Sequence, residues 1–424
     1  MELGKKRFDV IVVGSGVAGS TVARELRMQG KAVLILERGD DVRVKESIAS
    51  MVSVVDGIGV GERLSAARAL VAGGTSTIYF SVADTPPVEA LQSLGVDISA
   101  EYEQTKKELP LTVLPDELLG PRALKIQRTA IDLGYDWEKR KMLVDLSKVS
   151  SGYSGDAKWT ARDYLDEAVA NGATLVARAT VLKVLTENGR AVGVEYSFRK
   201  GKKDHEIRRA FGGQIVLAAG SAATPIILRE SGIKNIVGSG FYCHPSFVVS
   251  GLTSGLKPGE NFGGALGAEL NEGITLGDAN FNRFFHRVFM LDSRKFIRTL
   301  LHTRCIGVGV MVKDEPGGGL QEDGRYRKEL RKEDRERLEK GAKMAENIVR
   351  HAGGKRIFRS NVGAAHLGGL IRIREHIDSD LQTEFANLYV CDGSVVPAEK
   401  MVSPTLTLVC LGKYLANRLA AAFR

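Results

Sequence analysis

The chain has little cysteine. Its 424 residues hold four, Cys243, Cys305, Cys391 and Cys410, and no two form a CxxC pair. That spacing excludes the usual zinc and iron–sulfur frameworks, and so few thiols in a chain of this length suit a reducing compartment. Long apolar runs are also missing. No stretch approaches the roughly 20 residues of a membrane-spanning helix. The start, Met1 to Phe8, is short and basic and passes at once into a strand pattern. A secretory leader would need a longer apolar stretch and a small-residue cleavage site, so a cytoplasmic protein is expected. Internal repeats and low-complexity tracts are absent from the sequence.

Hydrophobic residues make up 43% and charged residues 26%, as in ordinary soluble proteins, and the length suggests two or three domains. The net charge of +9 favours anionic surfaces or acidic substrates. The densest basic run, Arg199 to Arg209, lies between two strand patterns and reads as a solvated hairpin end. No aromatics interleave with its charges, so nucleic-acid binding is not expected.

The most informative stretch is the first forty residues. Asp9 to Val13 (D-V-I-V-V) has the β-branched content of a buried parallel strand. It runs into Gly14-Ser15-Gly16-Val17-Ala18-Gly19, then a helical pattern over Ser20 to Gln29, a stop at Gly30, a second strand over Ala32 to Leu36, and Glu37-Arg38. In such a unit the first glycine permits the tight turn, the second lets backbone approach a pyrophosphate, and the third lets helix pack on strand. The helix start offers free N–H groups to phosphate. Glu37 can accept hydrogen bonds from ribose hydroxyls and would repel a 2′-phosphate. A dinucleotide site is therefore expected here, with FAD and NAD both open.

Two further glycine-rich segments recur. Gly73-Gly74-Thr75-Ser76 follows a helical pattern over Glu62 to Leu70. Ala173 to Val184 and Ala191 to Phe198 read as strands joined through Asn188-Gly189, a strong hairpin signal. Gln214 to Ala218 is another buried strand ending in Ala219-Gly220, after which Thr224 can cap a helix begun by Pro225. Near the C-terminus, Asn387 to Val390 reads as a strand, followed by Cys391-Asp392-Gly393-Ser394. Ser403 fits an N-cap and Pro404 the first position of a last helix running to about Ala422.

These blocks, in this order, resemble the glucose–methanol–choline (GMC) oxidoreductases. G-S-A-A-T-P-I-I-L-R-E-S-G-I, Gly220 to Ile233, is similar to that family's second signature, with Lys234 where a glycine is usual. N-L-Y-V-C-D-G-S-V-V-P followed by S-P-T-L-T-L is similar to its C-terminal block. The resemblance implies an α/β architecture: a Rossmann-like FAD-binding domain, its doubly wound, mainly parallel sheet carrying a β-meander, plus an α+β substrate domain with a large sheet. Residues 1–90, 170–245 and 370–424 would form the first domain, and 91–169 with 246–369 the second. It also implies FAD and oxidation of an alcohol-like group. Asp392 would contact the phosphate or ribitol part of the cofactor, backbone at Val181 the adenine, and Ser403, Pro404 and Thr405 the flavin ring. No histidine lies between Gly73 and Phe80, so the FAD is expected to be non-covalent; Tyr79 stands where many relatives carry Asn.

Alcohol oxidation by a flavin needs a base for the hydroxyl proton, and histidine suits that task. The family's base lies in a short motif matched here by Gly363-Ala364-Ala365-His366-Leu367-Gly368-Gly369. His366 is the candidate, although strict alignment of the glycines puts Ala365 in the family's position. The family's partner His or Asn corresponds to Ser403, which can hydrogen-bond a hydroxyl but is a poor base. His366 could instead be a structural histidine bonded to backbone. His244-Pro245 is similar to a recurrent family pair and reads as structural, and His205, His286, His302, His351 and His376 sit in charged or helical surroundings.

Phe281 to Arg304 pairs an aromatic face with a basic one at helical period. A plain covering helix is the favoured reading; the other is a peripheral contact with the inner membrane face, guarding the mouth of an apolar site. Arg325 to Arg350 reads as a solvated helix. The leading expectation is a dehydrogenase for a small or apolar alcohol, passing electrons to a quinone or a carrier protein. Flavin-dependent desaturation or reduction, and flavin-based electron transfer without alcohol oxidation, are the alternatives.

Overall fold

The computed structural model describes residues 7–149, 152–201, 204–233, 240–256, 261–399 and 403–422. The basic stretch Met1–Lys6 and Lys234 lie outside the described residues.

The apolar strand Arg7–Val13 sits at the centre of one sheet because both its faces are covered. It pairs in parallel with Val33–Leu36 on one side and with the far half of His205–Leu217 on the other. Thr174–Val176 extends the sheet beyond Val33–Leu36, and Leu388–Val390 extends it beyond His205–Leu217, both in parallel. The near half of His205–Leu217 turns antiparallel, pairing with Arg190–Arg199, which pairs with Ala179–Glu187. This is the expected mainly parallel sheet with a meander. Asn188 and Gly189 both have positive φ, 48° and 74°, the conformation a two-residue hairpin turn requires. The expected single strand Ala173 to Val184 is instead two, broken at Arg178, whose φ is +60°. That kink lets one segment join the parallel sheet and the next the meander.

The second sheet is larger and mostly antiparallel. Its order is Val55–Gly61, Leu64–Ala69, Gly363–Ala364, Pro245–Leu252, Cys305–Val312, Ile274–Asp278, Leu266–Leu270 and Glu138–Lys139, with Lys355–Arg359 also on Pro245–Leu252. Helices Asp116–Asp132 and Lys332–His351 cover one face, where Ile126, Ala345 and Val349 pack on Leu276, Val308 and Val310. The solvated helix expected over Arg325 to Arg350 is thus Lys332–His351, with its sparse apolar stripe facing the sheet.

Two expectations of local structure are corrected. Glu62 to Leu70 is not a helix: Glu62 and Arg63, both at positive φ, turn a hairpin into the strand Leu64–Ala69. Its alternating burial is the period of a strand, and its small alanines read equally well either way. Phe281 to Arg304 is not one helix. Asn282 accepts from Phe285 N at 2.9 Å to cap Arg283–Asp292, and the chain breaks at Arg294 (φ +54°) before the single turn Phe296–Leu300.

The domain boundaries shift as well. Leu91, Val96, Ile98, Leu165 and Ala168 belong to the core of the parallel sheet, so residues 91–109 and 161–169 join the nucleotide-binding part. Helix Ser99–Glu108 is fastened to the C-terminal helix by Lys413 Nζ–Glu108 at 2.6 Å. Conversely, Val55–Ala69 joins the large sheet.

Candidate active site

A continuous cavity of about 1920 Å3 runs between the two sheets. Among the residues expected to hold the cofactor, Gly14, Ser15, Gly16, Val17, Ala18, Glu37, Arg38, Gly74, Thr75, Ser76, Val181, Ala219, Gly220, Asp392, Gly393, Pro404 and Thr405 line it, as do His366 and Ser403. Gly19 and Gly73 stand one layer behind. A Cβ on Gly19 would lie 2.2 Å from Gly14 O, and one on Gly73 3.2 Å from the Arg162 side chain.

The three glycines of the first turn have separable reasons. Gly14 has φ +99°, and a Cβ there would meet Ala218 O at 2.3 Å. Gly14 and Gly19 are therefore required by the protein's own packing. Around Gly16 nothing lies within 4 Å of a Cβ, so its open side faces the cavity where the helix Val17–Met28 begins. Gly220, at φ +91°, is open in the same way. These are cradles that backbone leaves empty, and they fit a pyrophosphate. The Gly73–Gly74 loop closes on this turn: Gly73 N donates to Ser15 Oγ at 3.2 Å, and a Cβ on Gly74 would stand 2.9 Å from Gly16 Cα.

The carboxylates here are held by protein donors. Glu37 is buried and accepts from Ser15 N at 2.9 Å, Ser15 Oγ at 2.6 Å and Gly39 N at 2.6 Å, which fixes it on the cavity wall beside the first glycine turn. Asp392 accepts from Gly220 N at 2.9 Å, Ser394 N at 2.9 Å, Ser394 Oγ at 2.6 Å and the Thr224 hydroxyl. Burial raises its pKa against these four bonds. Asp392 lines the cavity as expected of a cofactor-facing residue, and its carboxylate also ties the 220 loop to the 392 loop. Thr224 is spent on the same bond, so it is the first helical residue of Thr224–Glu230 and not its cap. Ser76 Oγ donates to Gly73 O at 2.7 Å and accepts from Ala161 N at 2.9 Å, a bracing role within the loop.

The last helix begins one residue late, Thr405–Ala422, with Pro404 O accepting from Leu408 N at 2.9 Å. Ser403 is not its cap. Its hydroxyl donates to Val82 O at 3.0 Å, and its N–H donates to Asp84 at 2.7 Å. The helix start still points into the cavity, where its dipole favours negative charge.

Beyond this point the walls change character. Phe80 stacks on Phe281 with centroids 4.8 Å apart, and Phe281 on Phe289 at 4.9 Å. Thr275, Gly277, Gly309 and Met311 present the open face of the large sheet. Against this apolar wall stand His366 and one ion pair, Arg140 to Asp84 at 2.6 Å. His366 is held by backbone, its N–H on Cys243 O at 3.3 Å and the Ala365 N–H on His244 O at 3.1 Å. Its Nδ1 lies 3.4 Å from Nδ1 of His244, the rings meeting edge to face. Burial pushes the pKa of His366 down to about 4; Asp84 pulls the other way and Arg140 adds to the fall. The ring is neutral at pH 7. His244 is fully buried, stacked on Tyr242 at 4.6 Å, with its N–H on Asp314 at 2.8 Å. Burial, then the nearby His366, drives its pKa well down.

The pair of Asp84 and Arg140 was not legible in the sequence. The two lie 56 residues apart in no motif. The aromatic wall left a trace, the spacing of Phe281, Phe285 and Phe289. The remaining histidines are tied elsewhere: His286 to Arg298 O at 2.9 Å, His302 to Phe281 O at 3.0 Å, His351 to Asn347 O at 2.9 Å and His376 to Arg372 N at 2.9 Å, while His205 lies 3.2 Å from Ser197 Oγ.

A doubly wound nucleotide domain, a glycine-lined trough at its strand ends and an apolar chamber beyond fit a flavin-dependent oxidoreductase with FAD as cofactor. Comparison with known proteins narrows the class. A family model described as GMC oxidoreductase matches residues 129–246, and one described as an NAD(P)-binding Rossmann-like domain matches residues 12–45. An uncharacterized protein of Methanocaldococcus jannaschii is 24% identical, over 96% of this chain and 98% of its own. A long-chain-alcohol oxidase of Arabidopsis thaliana is 22% identical, over 98% of this chain and 68% of its own. Among solved structures, pyridoxine 4-oxidase from Mesorbium loti superposes with a TM-score of 0.76 at 15% identity, covering 97% of this chain and 99% of that one. Formate oxidase of Aspergillus oryzae RIB40 does so with a TM-score of 0.72 at 13% identity, covering 99% of both. Residues 129–246 carry the GMC oxidoreductase match, and the whole chain shares the fold of these two oxidases. Among the described residues no helix is long and apolar enough to cross a membrane.

Proposed function

We propose that the protein binds FAD non-covalently and oxidises an apolar alcohol, with His366 as the base that takes the hydroxyl proton. The observation that carries this is a neutral imidazole, its pKa near 4, beside the Arg140–Asp84 pair on the wall of a chamber faced by Phe80, Phe281, Phe289 and Met311. FAD, when bound, supplies a two-electron acceptor for the hydride of the carbinol carbon.

The chain's own residues do the rest. Backbone at Gly14–Ala18, Gly74 and Gly220 would hold the diphosphate, Glu37 the ribose, and the region of Val181 the adenine. Pro404 and Thr405, on the cavity wall, would flank the ring. The aromatic wall excludes water and seats the alkyl part of the substrate, which fixes the hydroxyl against His366. For His366 to accept a proton on Nε2, its Nδ1 must carry hydrogen and donate to His244 Nδ1, so His244 sets the tautomer. Ser403, tied to Val82 and Asp84, keeps a lone pair for a hydroxyl donor but stays a support.

The test is His366→Ala. The variant keeps its FAD absorption near 450 nm, and anaerobic bleaching by long-chain alcohols slows by about 10²–10⁴-fold, the usual worth of a positioned base. Unchanged bleaching would remove His366 from the chemistry. For the acceptor, a carrier protein or quinone follows from the expected dehydrogenase. The oxidases among the relatives favour a second reading, transfer to O2. Peroxide released in step with aldehyde in air would decide for O2.

A further inference from the structure

We infer that the segment Arg283–Leu300 seats the protein on an anionic lipid bilayer, with the mouth of the substrate cavity turned toward it. After the short helix Arg283–Asp292, the turn Phe296–Leu300 pushes three large apolar side chains into solvent: Phe296 is 63% exposed, Ile297 85% and Leu300 76%. Burying them in protein would be the ordinary outcome; exposed together, they mark a contact surface. The stretch 281–304 carries Arg283, Arg287, Arg294, Lys295 and Arg304 against one acid, Asp292, besides Arg298, which packs over Phe358, and Arg294 and Lys295 directly precede the turn. Basic residues next to protruding apolar ones match a headgroup layer over acyl chains.

The segment is anchored to the fold. Phe285 and Met290 are buried beneath it, and His286 Nε2 bonds Arg298 O at 2.9 Å, tying the helix to the turn. The same segment walls the cavity: Phe281 and Phe289 stack with Phe80 inside, and Ser293 and Arg294 lie at its rim. One face therefore touches the chamber while the other faces out, so a substrate dissolved in acyl chains has a short apolar path inward. Three side chains are too few for a stable pairing of two copies, which buries about 1,200 Å2 or more. They suffice for shallow insertion, with charge supplying the remainder.

The experiment is flotation of the FAD-loaded full chain with vesicles of phosphatidylcholine alone or with added phosphatidylglycerol. The protein is expected to float with the anionic vesicles at low salt and to release as salt rises. Phe296→Ser, Ile297→Ser and Leu300→Ser combined should lower partitioning by about tenfold or more, and Arg294→Glu with Lys295→Glu by at least about fivefold per position. All five positions lie outside the core, and retained FAD absorption checks folding. Failure to float at low salt, or flotation untouched by the triple change, overturns the inference. So does a concentration-dependent dimer in sedimentation velocity that the triple change abolishes, which would give the surface to a second copy. Vesicle binding is read without substrate, so its failure leaves the alcohol reading standing.

Discussion

The two ends of the cavity are built from different materials. At the cofactor end, backbone does the work: Gly14, Gly16, Gly74 and Gly220 leave space or adopt positive φ, and Glu37 and Asp392 are saturated by neighbouring N–H and O–H groups. At the substrate end, side chains do it. An aromatic stack, His366 backed by the buried His244, and one ion pair face a sheet with glycines at 277 and 309. A backbone-built site tolerates almost no change at its glycines. A side-chain-built site can be retuned one residue at a time, so it is the end at which substrate choice is set.

The sharpest way to break this comparison is Gly14 against Gly16. Gly14→Ala places a Cβ 2.3 Å from Ala218 O at φ +99°, and should cost about 2–4 kcal/mol of stability, read as a lowered denaturation midpoint with or without FAD. Gly16→Ala meets nothing within 4 Å. The apoprotein should unfold as the parent does, while FAD affinity drops by about 100-fold or more. If Gly16→Ala loses stability and keeps FAD, the open side of Gly16 is not the diphosphate cradle.

This contrast also explains what the sequence disclosed. A glycine required by a turn and a phosphate stands at fixed spacing from a strand and a helix, so Gly14 to Glu37 and Gly220 to Thr224 could be read directly. Three of the local errors came from tertiary context. Asp392 drew Thr224 away from its cap, Val82 drew Ser403 away from its own, and a hairpin at Glu62-Arg63 turned an alanine-rich run into a strand. Packing side chains from distant segments leaves no such spacing. Arg140 meets Asp84, and His366 meets His244 122 residues away, only because the large sheet folds them together.

The next effect in size concerns that histidine pair. His244→Phe preserves the stack on Tyr242 but removes the acceptor for His366 Nδ1–H. Bleaching by alcohol should slow by about 10-fold to 100-fold with FAD retained. His244→Ala would lose the stack as well and is the control for packing. The acid limb of kcat/KM should fall through a pKa near 4, the value burial sets for His366. An exposed histidine would give a limb near 6.5. The sign for stability follows: the unfolded ring binds a proton below about 6.5 and the folded ring does not, so stability is lost as pH falls from about 6.5 to 4. His286, also lowered to about 4 by burial, acts in the same direction. A limb near 6.5 would place His366 in water and sever it from the apolar chamber.

The smallest effect tests whether the sheet face measures the substrate. Gly309 pairs with Gly277, and a Cβ at Gly309 would first meet Gly277 O at 3.7 Å and Ala279 Cβ at 3.9 Å, ordinary contacts that cost the backbone little. A larger side chain there therefore projects into the cavity and shortens it. Gly309→Val is expected to leave FAD binding unchanged and to raise KM several-fold for long-chain alcohols while sparing short ones, since each excluded methylene forfeits about 0.8 kcal/mol. The readout is the slope of log(kcat/KM) against chain length. A parallel downward shift for all alcohols would mean that the variant disturbs the hydroxyl end near His366. An unchanged slope would mean that the alkyl chain runs along the aromatic wall of Phe80, Phe281 and Phe289, and not across the sheet.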